Sequence, residues 1–226
     1  MSDKIIAIDA MGGDNAPGEI VKGAVKASKT VKYGLALVGR QDIINSELAK
    51  YSYEKDKITV VNADEVIENC ETPTEAIKHK KNSSMVVGLN MVKEGRAVAF
   101  VSAGNTGALL TGATIIVGRI KGVKRPALGT MLPSEKNRVL MMDSGANVDA
   151  KAEYLVQYAQ MGSVYFENVL GKENPTVGLI NIGTEREKGN AMVKEAYGLL
   201  EEAKGINFAG NVEARDITLG NVDIVV

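Results

Sequence analysis

The sequence predicts an α/β fold, a mostly parallel sheet with flanking helices. Three observations lead there. Short runs rich in Val and Ile alternate with longer stretches of helical periodicity along the whole chain, which is the pattern of strands joined by helices. Several strands are followed by a loop rich in Gly, Asn and Asp that leads straight into a helix. No Pro/Gly/Ser linker, low-complexity tract or internal repeat interrupts the series, so the chain reads as one domain, 1–226.

Strand length and β-branched content place strands at 5–8, 35–38, 58–61, 98–101, 139–142, 177–182 and 222–226. Helices are expected at 17–28, 42–51, 83–94, 106–119, 151–170 and 190–204. Within 151–170, Leu155, Tyr158, Ala159, Met161, Val164 and Tyr165 keep a three-to-four spacing. The chain stops on the strand-like "NVDIVV", whereas a strand of a parallel sheet is normally followed by a loop and a helix. The expectation is therefore an architecture whose C-terminal part is missing.

Composition narrows the function. The chain has 226 residues, 45% hydrophobic and 24% charged, with a formal net charge of −1. That suits an ordinary globular protein with a sizeable core and excludes the basic surface a nucleic-acid binder needs. The single cysteine, Cys70, allows no internal disulfide and no cysteine zinc cluster, so a reducing cytoplasm is expected. The apolar run before Asp9 is too short for a signal peptide. The uncharged span 97–118 is long enough to cross a membrane, but the hinge "SAGNTG" inside it would break the helix.

Open parallel sheets bind ligands beyond the carboxyl ends of their strands. Four such ends carry "DAMGGDNAPGE", "SAGNTGA", "DSGANVDAK" and "GTEREKGN". Glycines let backbone approach a ligand, and the N–H groups of a following helix favour an anion. One such loop is explained by turn chemistry; four at matching positions point to a shared phosphate or carboxylate site. Sharper motifs are absent. No G-x-G-x-x-G follows the first strand, Ala113 stands where a P-loop lysine belongs, and no G-x-S-x-G elbow occurs. With His79 the only histidine, no His-based triad is expected.

Lys188, beside a glycine in the fourth loop, is a good phosphate partner or a solvated lysine. Asp9, Asp14, Asp143 and Asp149 either hold Mg²⁺ with a substrate or cap helices and brace loops. Lacking compact ligand spacing, they lead us to expect neither metal nor cofactor. Two acid-free basic runs, "KHKK" and "RIKGVKR", are either solvated surface or a docking face for an acidic protein.

The blocks "AIDAMGGDNAPGE", "KKNSSM", "SAGNTGALLTG", "VGRIKGVKRPAL", "DSGANVDAK", "LVQYAQMGSVY", "GLINIGTEREKGN" and "NFAGNVEARDI" closely resemble, in order, the bacterial phosphate acyltransferases of phospholipid synthesis, the PlsX family. The resemblance covers essentially the whole chain. It departs at the end: family sequences continue past "DIVV", so the domain 1–226 is expected to be truncated relative to the family.

The resemblance implies an isocitrate/isopropylmalate dehydrogenase-like fold related to the phosphotransacetylases. It implies transfer of a fatty acyl group from acyl carrier protein to inorganic phosphate, giving an acyl phosphate that a membrane glycerol-3-phosphate acyltransferase consumes. It also implies a cytoplasmic homodimer peripherally associated with the membrane. On that footing Lys188, Asn105 and Thr106 are the catalytic candidates. Gly12, Gly13, Asp14, Asn15, Ser102, Gly104, Gly107, Asn147 and Asn190 are the candidates for binding phosphate and acyl group. Lys80, Lys81, Arg119, Lys121, Lys124 and Arg125 are the candidates for docking carrier protein. The rivals are a metal-dependent dehydrogenase of the same fold, a phosphotransacetylase using acyl-coenzyme A and a non-catalytic carrier-protein scaffold.

Overall fold

A computed structural model describes residues 4–147 and 149–226. Its contacts divide the stretch read above as one domain into two compact units, residues 1–119 and 120–226; Val148 of the "DSGANVDAK" loop lies outside the described residues.

The first unit runs β1 (Ile5–Asp9), α1 (Gly18–Ser28), β2 (Gly34–Gly39), α2 (Gln41–Leu48), β3 (Ile58–Asn62), α3 (Pro73–His79), α4 (Ser84–Lys93), β4 (Ala99–Val101), α5 (Thr106–Gly112) and a π-helical turn, Ala113–Val117. Its sheet has the order β3-β2-β1-β4 and is parallel throughout. Alternation sends successive residues to opposite faces. Ile6, Ile8, Leu35 and Leu37 pack with Val21 and Val25 of α1 and Ile44 of α2. Ala7, Ala36 and Val38 pack with Met91 of α4. Both faces are thus covered, as an all-parallel sheet requires.

The second unit runs β5 (Gly129–Pro133), β6 (Arg138–Met142), α6 (Ala152–Tyr165), a second π-helical turn (Phe166–Leu170), β7 (Thr176–Ile180), α7 (Ala191–Glu202), β8 (Asn207–Val212), α8 (Ala214–Leu219) and β9 (Ile224–Val225). The strand order is β5-β6-β9-β7-β8, parallel except for the antiparallel pair β5–β6. Leu140, Val177, Leu179 and Ile224 face α6 and α7 in one cluster, with Tyr158 and Leu200 at its centre. Val139, Val212 and Val225 face Ile217 of α8 in the other.

Three expectations need correction. The helix expected at 106–119 and that at 151–170 each end in a π turn, stopped by Gly118 and Gly171 at φ 96° and 70°. In each turn a polar side chain bonds a carbonyl four residues back, Thr114 to Leu110 at 2.7 Å and Asn168 to Val164 at 2.8 Å. Such back-bonding competes with the helical ladder. The strand expected at 177–182 stops at Ile180, because the Asn181 side chain turns to accept from the N–H of Ile182. Two strands and two helices, β5, β8, α3 and α8, go unread in the sequence. The span 97–118 is strand, loop and helix, and no helix among the described residues is long and apolar enough to cross a membrane.

One buried charge ties β9 into its sheet. Asp223 is 4% exposed and accepts from Thr176 N at 2.8 Å, Thr176 Oγ1 at 2.9 Å and Lys172 Nζ at 2.5 Å. Burial pushes its carboxyl up, but the Lys172 and Thr176 bonds outweigh burial and hold it below the usual 3.8. A lowered carboxyl stabilises the fold above its unfolded value, and that contribution is lost as pH falls through the folded one. Asp223→Asn is therefore expected to cost about 2 kcal/mol at neutral pH. It should also flatten the loss of stability below pH 3.8, measured by urea unfolding across pH. An unchanged acid limb would remove Asp223 from this role.

Candidate functional site

In the first unit β1 and β4 are parallel neighbours, with Ile8 opposite Val101. Their carboxyl ends therefore release two glycine-bearing loops side by side. Asp9, 2% exposed, ends β1 and accepts from the N–H of Met11 at 3.1 Å. The hydroxyl of Ser102 donates to Asp9 Oδ2 at 2.7 Å and accepts from the N–H of Gly104 at 3.1 Å. The loops are in backbone contact. A Cβ on Gly12 would lie 2.5 Å from Asp9 Oδ2 and 2.9 Å from the Gly104 nitrogen. A Cβ on Gly104 would lie 3.3 Å from the Gly12 Cα. Gly13, at φ 107°, turns the first loop over Ala103 in a conformation that side chains disfavour.

A third loop, 63–72, joins these two. Asn105 caps α5 by accepting from the N–H of Ala108 at 2.9 Å, and its amide donates to the carbonyls of Glu68, Asn69 and Glu71, each at 3.2 Å. Asn69 donates to Asp14 at 3.4 Å. Glu71 accepts from Lys80 at 2.6 Å and from the N–H of Glu68 at 2.7 Å, which together hold its carboxyl below 4.5. Gly107 has a packing reason of its own, because a Cβ there would meet Pro73 at 2.8 Å.

The second unit carries the other two loops. Asp143, at the left-handed φ of 67°, accepts from the backbone and side chain of Asn147 at 3.2 and 3.0 Å. The Asn147 amide also reaches the Pro126 carbonyl at 2.9 Å. Beneath this loop Tyr158 is fully buried, and desolvation, with Asp143 nearby, pushes its hydroxyl up to about 12. After β7, Asn181 donates to the Lys188 carbonyl at 3.0 Å, and the Lys188 N–H donates to the Glu185 carbonyl at 3.1 Å. Gly189, at φ 91°, and Asn190, capping α7 through the Val193 N–H at 2.9 Å, complete the turn.

The nominated residues separate by what their polar groups already do. Ser102, Asn105, Asn147 and Asn190 spend their side chains on internal bonds. Thr106 and Lys188 are exposed, as are Asp14 and Asn15. Among the described residues no hydrogen bond or ion pair engages the Lys188 ammonium. The basic candidates separate likewise. Lys80 pairs with Glu71 and Lys124 with Glu153, whose carboxyl is lowered by that bond, and Lys81 donates to the Ile77 carbonyl at 3.1 Å. Lys121 and Arg125 are exposed; Arg119 belongs to the first unit. Among the described residues no three His, Cys, Asp or Glu side chains are grouped to hold a metal ion; Asp9, for its part, braces the glycine loops. The parts that sequence reading misses are the 63–72 loop, Asn181 and Asn211. Their role lies in contacts distant in sequence, which no motif records.

Comparison with known proteins adds to this geometry. Residues 5–226 match the model of a family described as fatty acid synthesis protein. A Clostridium acetobutylicum protein named phosphate acyltransferase is 52% identical over 223 residues, 98% of this chain and 67% of that protein. Its namesake from Clostridium beijerinckii is 51% identical over 222 residues, with the same coverage. The chain thus spans about two thirds of these relatives' length. Among solved structures, the EutD phosphotransacetylase from Staphylococcus aureus superposes with a TM-score of 0.66 at 16% identity, covering 99% of this chain and 77% of that one. A branched-chain phosphotransacylase from Enterococcus faecalis gives 0.64 at 14%, covering 99% and 78%. At such identities the likeness speaks for the α/β fold alone.

Proposed function

The chain belongs to the fatty acid synthesis protein family, and from that premise we propose that it is a phosphate acyltransferase moving a fatty acyl group from acyl carrier protein to inorganic phosphate. The match to proteins of that name along nearly the whole chain carries this reading. The geometry supports its phosphate half. Two loops meet glycine to glycine beside the Asp9 and Ser102 side chains, at the strand ends where open sheets take ligands.

The chemistry asks little of the protein's own nucleophiles. A phosphate oxygen attacks the thioester carbonyl carbon, the new C–O bond forms, and the C–S bond breaks. The acyl phosphate departs, and the carrier's sulfur leaves as thiolate and takes up a proton from solvent. The enzyme's part is to hold phosphate against the carbonyl and to stabilise the oxyanion with fixed donors. In this reading Gly12, Gly13 and Gly104 of the first unit let phosphate approach the backbone, and Thr106 offers an uncommitted donor. Ser102 and Asn105 act as positioning groups, and Asp14 and Asn15 line the rim, while Gly107 serves packing against Pro73. In the second unit Lys188 offers an uncommitted donor, and Asn147 and Asn190 position their own loops. Lys121 and Arg125 of the second unit are the groups best placed to meet carrier protein, with Lys124 contributing less because its ammonium pairs with Glu153; Lys80, Lys81 and Arg119 are the first unit's candidates. The product passes to a membrane glycerol-3-phosphate acyltransferase, and the working form is a cytoplasmic homodimer at the membrane surface.

The test is to combine purified protein, long-chain acyl carrier protein and phosphate, and to trap product with hydroxylamine. Phosphate-dependent acyl hydroxamate is expected, with acyl-coenzyme A a poorer donor. None from an otherwise active preparation rejects the reading, and preference for acyl-coenzyme A transfers it to the phosphotransacetylase type. Lys188→Ala should lower turnover about 10²–10³-fold with melting unchanged; full turnover clears Lys188. Lys121→Glu with Arg125→Glu should raise KM for carrier protein and leave that for acyl-coenzyme A alone; equal rises reject the docking face.

A further inference from the structure

We infer that Asn211 is a positioning residue for Lys188, aimed at the Lys188 loop by a bulge in β8. This rests on the reading of Lys188 given above.

The bulge is visible in the register. Val177 of β7 pairs with Phe208 and Leu179 with Asn211, so Gly178 alone stands opposite Ala209 and Gly210. Gly210 takes φ 91°, which a glycine adopts without strain. Such an extra residue reverses which face the following side chains use. Phe208 lies with α6 and α7 in one core cluster, whereas Val212 lies with Ile217 of α8 in the other. Four residues apart in an unbroken strand, they would share a face. The reversal places Asn211 on the α7 side, level with Leu179, beneath the loop that joins β7 to α7.

There its amide does one thing. Nδ2 donates to the Glu185 carbonyl at 2.7 Å, the same carbonyl that accepts the Lys188 N–H at 3.1 Å. Asn181 holds the other side of the turn through the Lys188 carbonyl. Lys188 is thus fixed from both flanks by asparagines at the ends of adjacent strands, while its own side chain stays exposed. Asn211 is 6% exposed, and its Oδ1 has no hydrogen-bond partner among the described residues. Stability therefore does not call for an amide here, since an apolar side chain of similar size would remove an unsatisfied buried acceptor. What such a replacement gives up is the grip on the loop.

Asn211→Leu tests this in three measurements. Thermal melting should be no lower than wild type. Hydrogen exchange at the amides of 183–189 should quicken about fivefold to tenfold, with β7 unchanged. Phosphate-dependent hydroxamate formation should fall about 100-fold, as for a displaced catalytic group. In the Lys188→Ala background the same substitution should cost nothing further, because it acts through Lys188. Unchanged exchange overturns the inference, and so does a loss that multiplies with that of Lys188→Ala. If wild type makes no hydroxamate, the functional reading falls, and exchange alone then decides whether Asn211 holds the loop.

Discussion

The candidate site depends on one close approach, the backbone contact between Gly12 and Gly104 beside the buried Asp9 carboxylate. Parallel pairing of β1 with β4 brings the two strand ends level. Asp9 then fixes both loops, one through the Met11 N–H and the other through the Ser102 hydroxyl. Burying a carboxylate is costly unless its oxygens are bonded, so those bonds and the shape of the loops stand or fall together. The absence of side chains at Gly12 and Gly104 allows the contact, and the 63–72 loop, held by Asn105, closes the third side.

A division of labour follows. Polar residues in a ligand loop are nominated by type, but a folded loop spends many of them on itself. Ser102, Asn105, Asn147 and Asn190 have the chemistry to touch an anion, yet each has its side chain engaged in a cap or a brace. The groups left open include backbone and Thr106 in the first unit and Lys188 in the second. Loops built this way rely on rigid geometry more than on the number of their donors, which suits the proposed reaction, whose nucleophile is the substrate phosphate.

The sequence shows the frame of the fold clearly and its joints poorly. β1, β2 and β3 are legible because branched apolar runs survive any register, and the hinge at 102–107 is legible because glycine, asparagine and threonine replace an apolar pattern abruptly. β5, "GTMLP", begins on glycine and ends on proline, so it reads as a turn. β8, "NFAGNV", is broken by its own bulge, so no alternation is left to see. The shortened helices hide because Thr114 and Asn168 look like ordinary surface residues until their bonds four residues back are known. In the site, Lys188 is legible from its glycine neighbour. The carbonyls that the Asn105 amide donates to stand 34 to 37 residues away and that of Asn211 stands 26 away, which periodicity does not connect.

The central claim is that the Gly12–Gly104 contact shapes the seat for phosphate. The most direct measurement is phosphorus NMR of inorganic phosphate titrated with wild type, Gly104→Ala and Gly12→Ala, each checked for native circular dichroism. The line should broaden with wild type, less with Gly104→Ala, whose added carbon would need a shift of a few tenths of an ångström, and not at all with Gly12→Ala, whose added carbon would lie 2.5 Å from Asp9. Equal broadening by all three folded proteins would contradict the claim and move the phosphate seat away from these loops.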